Sequence, residues 1–290
     1  MDGIINVYKE KGWTSFDVTK KLRAILHEKK IGHTGTLDPM AEGVLVICAG
    51  TATKLVSSIE ATEKVYEAEM KLGILTDTED TTGTILSEHP VDLSEEELRA
   101  AAQSFVGSYD QIPPMYSAKK VNGQKLYDLA RQGKVIERKP NRITIHDITV
   151  DSIDLPYVRM TVTCSKGTYI RVLGEDLATA LGTCGTMSFL LRTQVGAYTI
   201  DKAYTLQEVA ANPEACAAAP LTAVDALPKL SVNARQAARI TNGVRTTLAG
   251  TADGRYALLG PNGEFLGIAR CEDERLQAEK ILAHYALPEE

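Results

Sequence analysis

The chain has 290 residues, 32 Lys+Arg against 38 Asp+Glu, a formal net charge of -6, and 44% hydrophobic and 24% charged residues. That balance describes a globular protein with a substantial core in one large or about two smaller domains, and it speaks against coating nucleic acid by bulk charge. Five scattered cysteines without a CxxC pair indicate neither a disulfide framework nor a zinc site, and the longest apolar run, Val44 to Ala49, is far too short to span a bilayer. A reducing cytoplasm, without secretion or membrane insertion, is the expected setting.

The first predicted element is an amphipathic helix over residues 15 to 29. Thr14 and Asp17 form a T-x-x-D capping signature, and Val18, Leu22, Ile25 and Leu26 recur at helical spacing. Its outer face carries Lys20, Lys21, Lys29 and Lys30. Residues 32 to 43 then read as a loop, Gly-His-Thr-Gly-Thr-Leu-Asp-Pro-Met-Ala-Glu-Gly, with three glycines and a proline. It lacks the Gly-Lys-Ser/Thr ending of a phosphate-cradling loop. Asp38 within it is either the cap of a turn starting at Pro39 or a reactive group held on a loop.

Tyr66, Ala68, Met70 and Leu72 alternate with charged residues, the period of a half-buried strand. Ser94 and Glu97 make a second capping box, opening a surface helix through Phe105. Val158 to Cys164 alternate as a strand, Lys166-Gly167 punctuates it, and Leu173, Leu177 and Leu181 predict a helix stopped at Gly182. An alanine-rich stretch, 210 to 219, followed by Pro220 and Pro228, is the best domain boundary. Beyond it, Pro261-Asn262-Gly263 between two apolar segments signals a hairpin in a small β-rich module.

Charge is segregated along the chain. Residues 61 to 114 hold 12 acidic and 3 basic side chains, whereas residues 115 to 145 hold 8 basic and 2 acidic ones. A basic strip on an acidic protein suggests a localised anionic partner, with a solvated surface segment as the bland alternative.

The Gly32 to Pro39 stretch resembles the G-H-T-G-x-L-D-P loop of the bacterial TruB family of tRNA pseudouridine synthases. Further motifs stand in family order: Ala52-Thr53-Lys54, Lys64-Val65-Tyr66, Tyr116 to Gly123, and Ser165-Lys166-Gly167-Thr168-Tyr169-Ile170-Arg171. Together the resemblance covers roughly residues 3 to 198. It implies isomerisation of uridine 55 in the T loop of tRNA to pseudouridine: the N1–C1′ bond breaks, the uracil turns, and C5 joins C1′. No metal or organic cofactor is implied.

On that resemblance Asp38 is the catalytic carboxylate, adding to C1′ or removing a ribose proton, because C1′ becomes electron-poor as the base departs. Arg171 would hold that carboxylate charged, since a fixed guanidinium favours the anion. Tyr66 would stack on uracil or move the proton at C5. His33 matches the histidine that fills the space of the everted base, while Lys54 and Leu190 match the active-site wall. Tyr116, Lys119, Lys120, Lys125, Tyr127 and Arg131 of the basic strip, with Lys166 and Tyr169, would bind RNA. Many relatives carry histidine at the position of Thr186 and arginine at that of Leu191.

The expected architecture is α+β: a mixed, mainly antiparallel sheet with flanking helices over residues 1–227, then a small PUA-like β-barrel that binds RNA over 228–290. The expected partner is the tRNA T stem-loop, bound by a monomer, with no membrane. Two rivals stand beside this reading. One is an RNA-binding or RNA-folding protein with dispensable catalysis. The other is a glycoside-processing enzyme with paired carboxylates, for which Glu42 is the nearest second acid.

Overall fold

The computed structural model describes residues 1–117, 119–121 and 123–286, the side chains of Lys120 and Lys125 excepted. Among the described residues, ten strands form the main sheet. Its path runs Ala217–Ala218, Gly3–Lys9, Glu42–Ala49, Gly185–Val195, Lys64–Leu72, Tyr157–Cys164, Asn141–Asp154 and Gly107–Gln111, with Ile31–His33 and Tyr198–Thr199 paired at its side. Neighbours are antiparallel except at one junction, where Gly185–Val195 meets Glu42–Ala49 in parallel over Leu191↔Glu42 and Arg192↔Gly43. The mixed, mainly antiparallel α+β sheet is thus as expected.

The apolar run at residues 44 to 49 is a strand buried on both faces, which is why it reads as continuous rather than alternating. Leu45, Ile47 and Ala49 join the principal core, while Val44, Val46 and Cys48 join a second core on the other side. In Lys64–Leu72 the alternation holds, with Tyr66, Ala68, Met70 and Leu72 buried.

The first helix, Ser15–Leu26, starts with the expected Thr14–Asp17 capping box. It ends earlier than its periodicity suggests, because His27 takes a left-handed conformation at φ 50° and caps the last turn. The helices Glu95–Ser104, with its Ser94–Glu97 box, and Ile170–Ala180 lie where the sequence places them.

The alanine-rich stretch that precedes the second sheet is itself structured. It forms the short helices Leu206–Ala211 and Pro213–Cys216 and an edge strand, Ala217–Ala218, hydrogen-bonded beside Ile4 and Ile5. Small residues suit that edge, where a Cβ built on Gly3 would lie only 3.1 Å from the Ala217 Cβ.

Residues 229 to 281 contribute a second sheet of five strands among the described residues, a curled half-barrel whose path is open at both ends. Val232, Ala237, Ile240, Leu258, Leu266 and Leu276 form its own core. The Pro261-Asn262-Gly263 turn joins Gly254–Leu259 to Phe265–Glu272, closed by Gly260 N–H donating to the Glu264 carbonyl at 2.8 Å. A further cluster, Leu55, Val224, Ala257, Ile268 and Leu282, packs this module against the main domain.

Candidate active site

The loop bearing Asp38 leaves Ile31–His33 and re-enters the sheet at Glu42, beside the parallel junction. Close approach there requires Gly43, whose φ is 101°; a Cβ would lie 2.3 Å from the Arg192 carbonyl oxygen. The loop is pinned from the first helix. Ser15 Oγ accepts from Leu37 N–H at 2.9 Å and donates to the Leu37 carbonyl at 3.1 Å. Gly12 N–H donates to the Pro39 carbonyl, and the buried Lys9 ammonium donates to the Ala41 carbonyl at 2.5 Å. Burial brings the Lys9 pKa down to about 8. No helix starts at Pro39; the backbone carbonyl of Asp38 closes a turn with Ala41 N–H, leaving its carboxylate for other work.

That carboxylate meets Arg171. Arg171 Nε donates to Asp38 Oδ2 at 2.9 Å, across 133 residues of sequence. The arginine side chain is 4% exposed, whereas that of Asp38 is 33% exposed toward the cleft. The other guanidinium nitrogens are also used: Nη1 donates to the Thr78 carbonyl at 2.6 Å and Nη2 to the Tyr116 carbonyl at 2.8 Å. Burial opposes the charge of Arg171, but Asp38, Glu79 and Asp80 outweigh it and push its pKa above the ordinary value. The guanidinium is thus a permanent cation in one orientation, and Asp38 inherits that orientation.

A cleft of about 480 Å³ opens over this pair. It gathers residues named from the sequence, Asp38, Tyr66, Lys119, Lys166, Tyr169, Arg171 and Leu190. Tyr66 and Leu190 are nearly buried on neighbouring strands, and burial raises the Tyr66 phenol pKa above its usual value. Tyr169 is held by Gln111, which accepts from its backbone N–H at 2.8 Å and donates to its carbonyl at 3.1 Å. Lys119 donates to Asn141 Oδ1 at 2.5 Å at the rim.

Other expected residues lie apart from the cleft lining. The Tyr116 carbonyl braces Arg171. Arg131 stacks on Tyr127, its guanidinium carbon 5.5 Å from the ring centroid, on the helix Leu126–Arg131. The side chains of Lys120 and Lys125 lie outside the described residues. His33 is half-buried, with its Nδ1 buried and without a hydrogen-bond partner among the described residues. Burial and then the nearby Arg192 lower its pKa, favouring neutral imidazole. Lys54 is not at the cleft wall: its ammonium donates to the Ile281 carbonyl, while Lys280 reaches the Lys54 carbonyl and Ser57, joining the two domains. Glu42 accepts from Lys11 N–H at 3.3 Å and does not line the cleft with Asp38.

Three further groups in and beside the cleft are given no role by the sequence reading, although Lys64 stands in the Lys64-Val65-Tyr66 motif. Arg192 is fully buried, donating through Nε to the Val44 carbonyl at 2.7 Å and through Nη2 to the Gly35 carbonyl at 3.0 Å. Lys64 lines the cleft one pleat from Tyr66. Asp80 is a buried hub: its Oδ1 accepts from Thr78 Oγ1 and from Thr82 N–H, each at 2.9 Å, ordering the segment whose carbonyl holds Arg171. For that turn the signal is the dense Thr/Asp/Gly run 76 to 83. Thr186, one of the family departures, bonds Thr76 Oγ1 at 2.9 Å and packs the same segment; Leu191 is half-buried.

The profile described as "TruB family pseudouridylate synthase (N terminal domain)" matches residues 23–170, and that described as "tRNA pseudouridylate synthase B C-terminal domain" matches residues 171–224. The chain belongs to the TruB family of pseudouridylate synthases. A tRNA pseudouridine synthase B from Clostridium novyi (strain NT) is 43% identical over 97% of this chain and all of its own length. One from Lachnoclostridium phytofermentans (strain ATCC 700394 / DSM 18823 / ISDg) is 56% identical over 72% of this chain and 71% of its own. Among solved structures, a chain of a Cbf5-Nop10-Gar1 complex superposes with a TM-score of 0.75 at 25% identity, covering 98% of this chain and 85% of that one. Membership in the TruB family makes this chain an isomerase that converts uridine to pseudouridine in tRNA. No described helix is long and apolar enough to cross a membrane.

Proposed function

We infer that the chain isomerises uridine 55 in the T loop of tRNA, with Asp38, Tyr66 and Arg171 as its catalytic residues. The single observation that carries this is the Asp38–Arg171 ion pair at 2.9 Å in the cleft that Tyr66 also lines. As the N1–C1′ bond breaks, C1′ becomes electron-poor, and the Asp38 carboxylate is the anion placed to meet it. Arg171, itself anchored on the Thr78 and Tyr116 carbonyls, holds that carboxylate in register, so the anion is oriented before substrate arrives. Tyr66 and Leu190 offer an aromatic and an aliphatic surface for an everted base. Extrusion from the RNA stack costs a few kcal/mol, which the cleft contacts offset.

In this reading His33 takes the place of the everted base, and Lys119, Lys166, Tyr169 and the strip bearing Tyr116, Tyr127 and Arg131 hold the T stem-loop. Residues 228–290 act as an added RNA-binding module. The enzyme works as a monomer in the cytoplasm. The test is incubation of unmodified tRNA with the wild type and Asp38→Ala, with chemical mapping of pseudouridine. Wild type should modify position 55 alone in the T loop, and Asp38→Ala should bind tRNA with modification undetectable. Tight binding without modification by either protein would instead identify a binding module.

A further inference from the structure

Asp38 and Arg171 answer the charge that develops on the sugar, but the reaction also develops charge on the base. The N1–C1′ bond breaks with its electron pair left on uracil, spread over N1, O2 and O4. Later C5 supplies an electron pair to C1′, loses its proton, and N1 gains one. The atoms balance without a co-reactant, so the expelled base passes through an anionic stage that needs a cation beside it.

The cations of the cleft are not equivalent. Arg171 is committed to Asp38 and two carbonyls. Arg192 is fixed through Nε and Nη2 on the Val44 and Gly35 carbonyls, and its guanidinium also meets the Tyr66 hydroxyl. Lys119 is bonded to Asn141, and Lys166 is exposed at the rim. Lys64 differs. It is 5% exposed, lines the cleft, and stands on the same face of its strand as Tyr66, two residues away. Its ammonium donates to the Glu60 carbonyl at 2.8 Å and the Thr62 carbonyl at 2.9 Å, which aim it and leave a third N–H without a partner among the described residues. A Cβ built on Gly35 would lie 3.8 Å from Lys64 Cε and 3.6 Å from Arg192 Nη1, so the Asp38 loop passes directly over both cations.

We propose that Lys64 is a further catalytic residue, whose ammonium stabilises the negative charge on uracil while the base is detached and turning. This deepens the isomerase reading and rests on it. Burial, helped by Arg192 and Lys166 and opposed by Cys164 and Glu60, lowers the Lys64 pKa to about 8. The charged, active form therefore predominates at neutral pH and is lost as pH rises through that value.

The experiment measures single-turnover pseudouridine formation on unmodified tRNA from pH 6 to pH 9.5, with tRNA affinity measured in parallel. Lys64→Met should slow formation on the order of 100-fold at pH 7 while affinity changes by less than about threefold. Wild type should lose rate above about pH 8; because Lys9, which braces the Asp38 loop, titrates in the same range, the profiles are compared in a Lys9→Arg background, where Lys64→Arg, a cation at every pH tested, should lack the decline that Lys64 keeps. A Lys64→Met rate within about threefold of wild type overturns the proposal, as does a Lys64→Arg profile that falls in parallel with that of Lys64 in the same background. Circular dichroism melting reports whether Lys64→Met folds; where it does not, the Lys64→Arg profile decides. A wild type that makes no pseudouridine overturns the isomerase reading and this one with it.

Discussion

Glu79 shows how a single side chain carries information absent from its local sequence. It adopts a left-handed backbone at φ 62°, held by its N–H to the Thr76 carbonyl and by Met187 N–H to its own carbonyl. Its Oε2 is buried without a hydrogen-bond partner among the described residues. Burial, against the opposing pull of Arg171, raises its pKa to about 7. Between the ordinary carboxylate value and about 7, the folded protein keeps a proton that the unfolded chain has released, so stability falls as pH rises through that window. Glu79→Gln removes the ionisation and should stabilise by about 2 kcal/mol at pH 8, with the gain vanishing near pH 4.5. Thermal melts of both proteins at the two pH values check this; an equal gain at both would contradict it. Tyr66 makes the complementary point. Its alternation marks it as a buried strand residue, and it is one, yet the same burial turns its ring into the wall of the cleft.

Among the elements, the first helix is the one whose local grammar and site role coincide. Its capping box fixes where it starts, and the next residue, Ser15, uses that fixed position to grip Leu37 in the Asp38 loop. Ser15→Ala leaves the buried N–H and carbonyl of Leu37 without this partner, so a loss of about 2 kcal/mol is expected. The loop bearing the carboxylate also loosens, so kcat should fall by about tenfold while tRNA affinity holds. Denaturant unfolding together with steady-state kinetics tests both; lost stability with unchanged kcat would mean that the grip is merely structural. The alanine-rich stretch is the opposite case. Its composition suggests a boundary, because an edge strand of two alanines has no pattern of its own and exists only through its pairing with Ile4 and Ile5.

The two domains meet through shared apolar packing and through a small polar seam formed by Lys54, Ser57, Ile281 and Lys280. Family motif order suggests Lys54 as a wall of the active site, whereas its ammonium points to the second sheet. Lys54→Met should therefore leave kcat within about twofold while raising KM for tRNA, because the seam orients the second module rather than the cleft. A large fall in kcat with unchanged KM would return Lys54 to the chemistry. The comparison requires fixed ionic strength, since contacts between a basic strip and phosphates weaken steeply with salt.

Helix starts, strand alternation, turn chemistry and the segregation of charge are legible in the sequence because capping and side-chain period are energies between near neighbours. The family motifs, taken in chain order, suffice to single out Asp38, Tyr66 and Arg171. The meeting of positions 38 and 171 is decided only in three dimensions, by a strand order that closes a parallel junction next to the Asp38 loop. The same holds for the burial of Lys64 and Arg192, the Asp80 hub and the seam at Lys54. A charged residue reads as exposed in one dimension. Only the packing of distant strands removes its water and decides which carbonyl or carboxylate takes the water's place.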